Sequence, residues 1–154
     1  MTKMVLLLMA SLVLCAMVGG SLGAQTKSEQ EKNLKVVMDF WREVLVAHHV
    51  DLAPKYLAKG YIQHNPNVAT GLDGFVAFFS KFPPQPIPAK LPNQPIQVFQ
   101  KGDLVTLIWD HEGKDPADPS KTYKYNTFDM FRVDGGLIQE HWDSAMRNPP
   151  APAR

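Results

Sequence analysis

From residue 28 to residue 48, apolar side chains recur three and four positions apart: Leu34, Val37, Met38, Trp41, Val44, Leu45 and then His48. That spacing predicts one amphipathic helix of about five turns. Ser28-Glu29-Gln30-Glu31 at its start fits a capping box, with Ser28 accepting from an open backbone N–H and Glu31 reaching back. Residues 51–57 predict a short second helix, with Pro54 in the first turn, where proline is tolerated. Tyr61-Ile62-Gln63-His64 reads as a short strand stopped by Asn65-Pro66. Thr70-Gly71-Leu72-Asp73 opens a third helix that carries Leu72, Phe75, Val76 and Phe79 on one face and ends before Pro83-Pro84.

Beyond Pro95 the pattern changes. Residues 96–100, 104–112, 123–133 and 137–143 are rich in β-branched and aromatic residues and predict strands. Lys101-Gly102-Asp103 and Asp134-Gly135-Gly136 are tight-turn sequences between them, and residues 115–120 form a longer, proline-bearing hairpin loop. Six of the 13 prolines crowd into residues 83–95, which excludes regular helix and interior strand there. That segment reads as an extended crossing loop, either a plain spacer or a rim over a pocket. Helices and one short strand, followed by a run of antiparallel strands, make an α+β layout. Residues 148–154 are rich in proline and alanine and predict a disordered tail.

The N-terminus stands apart. Lys3 precedes an apolar run over residues 4–18, and small residues follow at Gly19, Gly20, Ser21, Gly23 and Ala24. This is the layout of a secretory signal peptide spanning residues 1–24, cleaved after Gly23 or Ala24. An uncleaved anchor is the competing reading, and the run falls short of the roughly 20 residues a membrane span needs. The expected mature chain, from Gln25, is one domain over residues 25–147, secreted or periplasmic, with no membrane attachment after cleavage.

Removal of that segment changes the composition. The 16 basic residues lose Lys3, leaving 15 against 15 acidic, so the net charge falls from +1 to zero. No basic excess remains to neutralise phosphates, so nucleic acid is not the expected partner. The single cysteine, Cys15, goes too. A disulfide framework and a thiol nucleophile are therefore both excluded. The chain has no glycine-rich phosphate loop, no HExxH and no GxSxG.

What remains is a set of histidines and carboxylates on predicted strands: His64, Asp110, His111, Asp129, Glu140, His141 and Asp143. If Asp134-Gly135-Gly136 is a three-residue loop, Val133 pairs with Leu137, Asp129 with His141 and Thr127 with Asp143. Opposite residues share a face. Asp129, Phe131, Gln139, His141 and Asp143 then line one face, and Phe128, Met130, Ile138 and Trp142 the other. A slip of one residue breaks this grouping. A carboxylate in an apolar cavity is poorly solvated and becomes a competent general base near neutral pH. A histidine in reach can shuttle the proton or donate to an oxyanion, which suits proton abstraction beside a carbonyl without metal or organic cofactor. The alternative is an ordinary Asp–His bond that pins two strands.

The other residues divide similarly. His48 and His49 are adjacent on a helix end, so they diverge and favour the helix dipole when protonated. His64 either reaches the pocket from its strand end or makes a turn-side hydrogen bond. His111 shares the strand face of Val105, Leu107 and Trp109. A zinc site from His64, His111 and His141 has no short ligand spacing behind it, so no metal is expected. Trp41, Phe75, Phe79 and Trp109 are expected as core and cavity wall.

Tyr61-Ile62-Gln63-His64-Asn65-Pro66, Phe128-Asp129-Met130-Phe131-Arg132-Val133 and Glu140-His141-Trp142-Asp143, in that order, resemble the SnoaL-like polyketide cyclase group. More closely, they resemble its small bacterial members described as predicted aldol-condensation-catalysing proteins. The wider superfamily is nuclear transport factor 2-like, and the resemblance runs over about residues 30–146. It implies an α+β cone, a curved and mostly antiparallel sheet wrapped round a pocket and closed by three N-terminal helices. It implies cofactor-free acid–base chemistry on a small apolar carbonyl compound. By the resemblance, Asp129 is the acid/base, His64, His111 and His141 are its candidate partners, and Tyr61, Trp41, Phe131 and Asp143 support the pocket. The long loop at residues 115–120 and the export signal depart from a cyclase that works beside cytosolic synthases. A non-catalytic ligand-binding protein is the alternative on the same fold, and pairing through the exposed sheet face makes a homodimer expected.

Overall fold

The structure is a computed structural model that describes residues 26–147. The expected signal segment and the expected tail lie outside the described residues. Among the described residues, no helix is long and apolar enough to cross a membrane.

Helix α1 (Lys27–Phe40) begins two residues earlier than expected from Ser28. The cap is Thr26, whose Oγ1 accepts from the Glu29 N–H at 3.2 Å while the Glu29 carboxylate accepts from the Thr26 N–H at 2.7 Å. The pattern of a hydroxyl followed three residues on by glutamate occurs twice, at Thr26 and at Ser28, and the earlier copy closes the helix. The helix continues over Trp41–Val46 in wider, π-type turns. Val37, Phe40 and Val44 form its buried line. The chain then leaves the helix through His48, whose φ of 58° lies in the left-handed region usually given to glycine. A short 3₁₀ turn, Val50–Leu52, leads into α2 (Ala53–Tyr56).

Strand β1 (Leu57–Gln63) begins earlier than the sequence pattern suggests, and His64 falls just past its end. Helix α3 is Leu72–Phe79. It approaches the preceding turn closely: a Cβ on Gly74 would lie 2.5 Å from the Ala69 carbonyl oxygen, so glycine is required there. The proline-rich segment has no regular structure until β2 (Gln97–Lys101). It is tied to the end of the long helix by both histidines. His48 Nδ1 donates to the Pro83 carbonyl at 3.2 Å, and His49 Nε2 to the Gln85 carbonyl at 2.9 Å. The Gln85 N–H donates to the Ala47 carbonyl at 2.8 Å. The pair therefore straps a loop rather than only meeting a helix dipole.

Strands β3 (Leu104–Lys114), β4 (Thr122–Asp134) and β5 (Leu137–Asp143) complete a five-stranded sheet of order β1-β5-β4-β3-β2. Only β1, beside β5, runs parallel to its neighbour. The three helices pack on one face of this sheet, as expected for the α+β cone. Val37, Phe40 and Val44 meet Tyr61, Phe75, Leu107, Phe131 and Ile138 in one core. Phe40 joins Phe75 at 5.6 Å and Phe131 at 6.2 Å between ring centroids.

The β4–β5 hairpin corrects the expected register. Its loop is the two residues Gly135 and Gly136, both at positive φ, as the right-handed twist of a two-residue hairpin turn requires. Asp134 therefore pairs with Leu137 and Val133 with Ile138. That is a slip of one, and it places Ile138 in the core instead of on the outer face. A bulge at Gln139 then adds a second slip. From there Arg132 pairs with Glu140, Phe131 with His141 and Asp129 with Asp143. Two slips restore the period of two, so Asp129, Phe131, His141 and Asp143 share the inner face after all.

Candidate functional site

Alternation along β1 brings Tyr61 and Gln63 to the inner face, and Asn65 follows in the turn. With Asp129 and Phe131 from β4 and His141 and Asp143 from β5, they line a cavity of about 260 Å³. Phe40, Leu45, Phe75 and Phe79 supply its apolar wall.

The polar groups form one chain. His141 Nε2 lies 3.0 Å from Asp129 Oδ1, and His141 Nδ1 lies 2.9 Å from Gln63 Oε1. Gln63 Nε2 donates to the Tyr61 phenol oxygen at 3.0 Å. The Asn65 backbone N–H donates to Gln63 Oε1 at 3.0 Å, and Asn65 Nδ2 to Asp143 Oδ2 at 2.6 Å. The Ala145 N–H donates to Asp143 Oδ1 at 2.9 Å. Asp129 and Asp143 are directly opposite, an arrangement that repels when both are bare. Donors on Asp143 and the imidazole on Asp129 offset that repulsion. Burial, with the negative charges of Asp143 and Asp129, pushes the Tyr61 phenol far above its ordinary value, so it stays protonated.

A second cavity, of about 370 Å³, lies alongside and shares Asp129 with the first. Trp41 and Trp109 stack at 4.5 Å in its wall. His111 and Thr127 face it across a 2.8 Å Nε2–Oγ1 contact, and Pro92 and Asn93 of the proline-rich loop close one side. The loop is thus a rim as well as a spacer. The Trp109 indole N–H is buried with no hydrogen-bond partner among the described residues.

The expected site residues therefore part company. Asp129, His141, Asp143, Tyr61 and Phe131 converge on the first cavity, while Trp41 and His111 belong to the second. His64 does not reach either. One residue beyond Gln63, it points through the sheet to the outer face, stacks on Trp142 at 4.7 Å and lies 3.1 Å from Glu140 Oε2. The expectation that it serves the pocket is overturned by the alternation that places Gln63 inside. Gln63 and Asn65 are the members that sequence reasoning missed. The signal for them was that same alternation, carried inward from Tyr61.

As to metals, the ligand atoms of Asp129, His141 and Asp143 lie within 4.8 Å of one another. Both Asp143 oxygens already accept from the protein, and the His141–Asp129 contact closes the remaining gap. As arranged, the three side chains bond to one another or to the surrounding protein.

Residues 37–141 match the sequence pattern of the SnoaL-like domain. The chain belongs to the SnoaL-like family. No curated protein matches it. Among solved structures, it is similar to a candidate SnoaL-like polyketide cyclase from Jannaschia sp. CCS1, at 20% identity and a TM-score of 0.53 over 79% of this chain and 92% of that one. A nuclear transport factor 2-like protein from Burkholderia xenovorans LB400 matches at 13% identity and a TM-score of 0.54, over 74% of this chain and 88% of that one. An LEH-like epoxide hydrolase from M. tuberculosis matches at 13% identity and a TM-score of 0.51, over 75% of this chain and 83% of that one. These likenesses establish the fold. A SnoaL-like cone enclosing a pocket is a small-molecule site.

Proposed function

We propose that this SnoaL-like protein performs acid–base chemistry on a small apolar carbonyl compound: an aldol-type ring closure, an isomerisation or a dehydration. The observation that carries the reading is the His141–Asp129 contact inside a cavity whose apolar wall is Phe40, Leu45, Phe75, Phe79 and Phe131. Asp129 takes the proton from the carbon beside the carbonyl. The enolate oxygen so formed accepts from the Tyr61 phenol, which lines the same cavity and stays protonated. Returning the proton at another carbon isomerises the substrate, and attack of the enolate carbon on a second carbonyl forms a carbon–carbon bond. The apolar wall strengthens each of these interactions by excluding water.

The test is exchange of the α-protons of an aryl methyl ketone with deuterated solvent, followed by NMR. Wild type is expected to accelerate exchange over buffer. Asp129→Asn is expected to lose about 10²-fold or more of that rate, the range of a general base, while keeping its affinity for the ketone. No acceleration by wild type, or an equal rate in the variant, overturns the reading. A wild type that binds the ketone and exchanges nothing is a non-catalytic binding protein.

Export belongs to the same proposal, supported by Lys3, the apolar run and the small residues behind it. Protein recovered from the periplasm or medium of an exporting host is expected to begin at Ala24 or Gln25. A chain held in the cytoplasm with Met1 intact overturns it. The apolar outer face of the sheet supports pairing of two copies.

A further inference from the structure

The amide of Gln63 sits at the crossing of three hydrogen bonds, and only one orientation satisfies them all. The Asn65 backbone N–H is a donor under every condition, and it points at one end of the Gln63 side chain from 3.0 Å. That end must be the oxygen, because the NH₂ group would set donor against donor. The other end then donates to the Tyr61 phenol oxygen. The same Gln63 oxygen faces His141 Nδ1 at 2.9 Å. An oxygen cannot donate, so Nδ1 must carry the proton.

The consequence reaches Asp129. With Nδ1 protonated, a neutral His141 has only a lone pair at Nε2, facing the lone pairs of Asp129 Oδ1 at 3.0 Å. Two lone pairs do not bond, so the contact requires one further proton between them. The pair then holds that proton either as imidazolium and carboxylate or as imidazole and carboxylic acid. Without Gln63, His141 satisfies Asp129 with an ordinary Nε2–H, its Nδ1 bare, and the stored proton is gone.

We infer that Gln63 is a positioning residue that fixes His141 with its proton on Nδ1 and so obliges the His141–Asp129 pair to hold an exchangeable proton at Nε2–Oδ1. This rests on the reading of that pair as the acid–base centre, and it assigns the resting state of the centre to a residue that makes no hydrogen bond to Asp129 itself. The backbone of Asn65 orients Gln63, Gln63 orients the imidazole, and Tyr61 anchors the far end of the amide.

The test reads the tautomer and not turnover, so it stands whether or not any carbonyl compound reacts. Nitrogen–proton correlation spectra of ¹⁵N-histidine-labelled protein in mildly alkaline solution, with His141 assigned from a His141→Gln variant, report which ring nitrogen bears hydrogen. Wild type is expected to show a protonated Nδ1. Gln63→Leu, which removes the acceptor, is expected to lose the Nδ1 proton and place it on Nε2. Gln63→Glu keeps shape and acceptor and covers the case in which the leucine variant does not fold. Its Nδ1 proton is expected to be retained and to move further downfield, because a charged acceptor makes a stronger bond. A bare Nδ1 in wild type overturns the inference. So does an unchanged tautomer in Gln63→Leu, or an unmoved Nδ1 resonance in Gln63→Glu. Ketone exchange that fails while these tautomers are found as expected counts against the proposed chemistry and leaves the role of Gln63 standing.

Discussion

Glu43 shows at the scale of one residue how this fold uses charge. Its carboxylate accepts from Tyr56, from Lys55 Nζ at 3.2 Å and from Arg42 Nη2 at 2.6 Å. Burial pushes its pKa up, but hydrogen bonds from Tyr56 and Lys55 and the charges of Lys55 and Arg42 outweigh that, holding it below its ordinary value of 4.5. A carboxyl depressed in the folded state contributes stability above its unfolded pKa and loses it as pH falls through the folded value. Glu43→Gln is therefore expected to cost about 1.5–3 kcal/mol at neutral pH, the range for hydrogen bonds to a charged group. The gap to wild type should close as pH drops below 4.5, since wild type then protonates the group the variant already lacks. Urea unfolding of both proteins at neutral and acid pH checks it, and a gap that does not narrow in acid refutes it. The same scale shows why the pocket was only half legible in the sequence. Asp129 and His141 announce themselves as titratable groups on one predicted strand face. Gln63 and Asn65 carry no charge, and their importance lies in which atoms meet, which no pattern of residue types records. His64 misled because a histidine attracts a functional reading, whereas the alternation through Tyr61 and Gln63 already placed it outside.

The elements were legible where a rule of period or capping acted alone and less so where two rules competed. The long helix, α3 and the four C-terminal strands followed from spacing and turn residues, because nothing opposed those preferences. At the helix start two cap sequences overlapped, and the earlier one at Thr26 closes the helix. The β4–β5 hairpin is the instructive case. Glycines at both loop positions favour a two-residue turn, and that turn alone would have carried His141 to the outer face. The bulge at Gln139 reverses this, at the expense of one unpaired residue whose side chain instead donates to the Asp134 carbonyl at 3.1 Å. What selects the bulge is burial on both sides of it, with Ile138 and His141 both needing the inner face. A bulge that keeps Ile138 in the core and delivers His141 to Asp129 joins stability and site in one irregularity, visible only once both strands are in place. The proline-rich loop follows the same logic. Its prolines exclude regular structure, but its start is fixed at Pro83 and Gln85 by bonds from His48 and His49, which lie far away in sequence.

At the scale of the molecule, the cone buries one face of its sheet under helices and leaves the other bare. Phe99, Phe128 and Ile62 are about half exposed there, and Phe128, Met130 and Trp142 border a shallow apolar groove with Thr106. At the centre of that face Glu140 accepts from Arg132 at 2.7 Å and lies 3.1 Å from His64. An apolar patch whose central carboxylate is already paired suits a second copy of itself, since a two-fold axis sets like against like and a bare charge there would repel. A stable interface buries about 800 Å² on each partner, which a face of several strands can supply. Protein that begins at Gln25 is therefore expected to sediment as a dimer at micromolar concentration. Phe128→Lys, which sets a charge in the middle of the face, is expected to sediment as a monomer with its urea midpoint little changed, because Phe128 contributes nothing to the core between sheet and helices. That variant should also keep ketone binding, since Phe128 faces away from Asp129 and His141 on the alternating strand. Wild type that sediments only as a monomer removes the dimer, and a dimer untouched by Phe128→Lys places the interface on another surface.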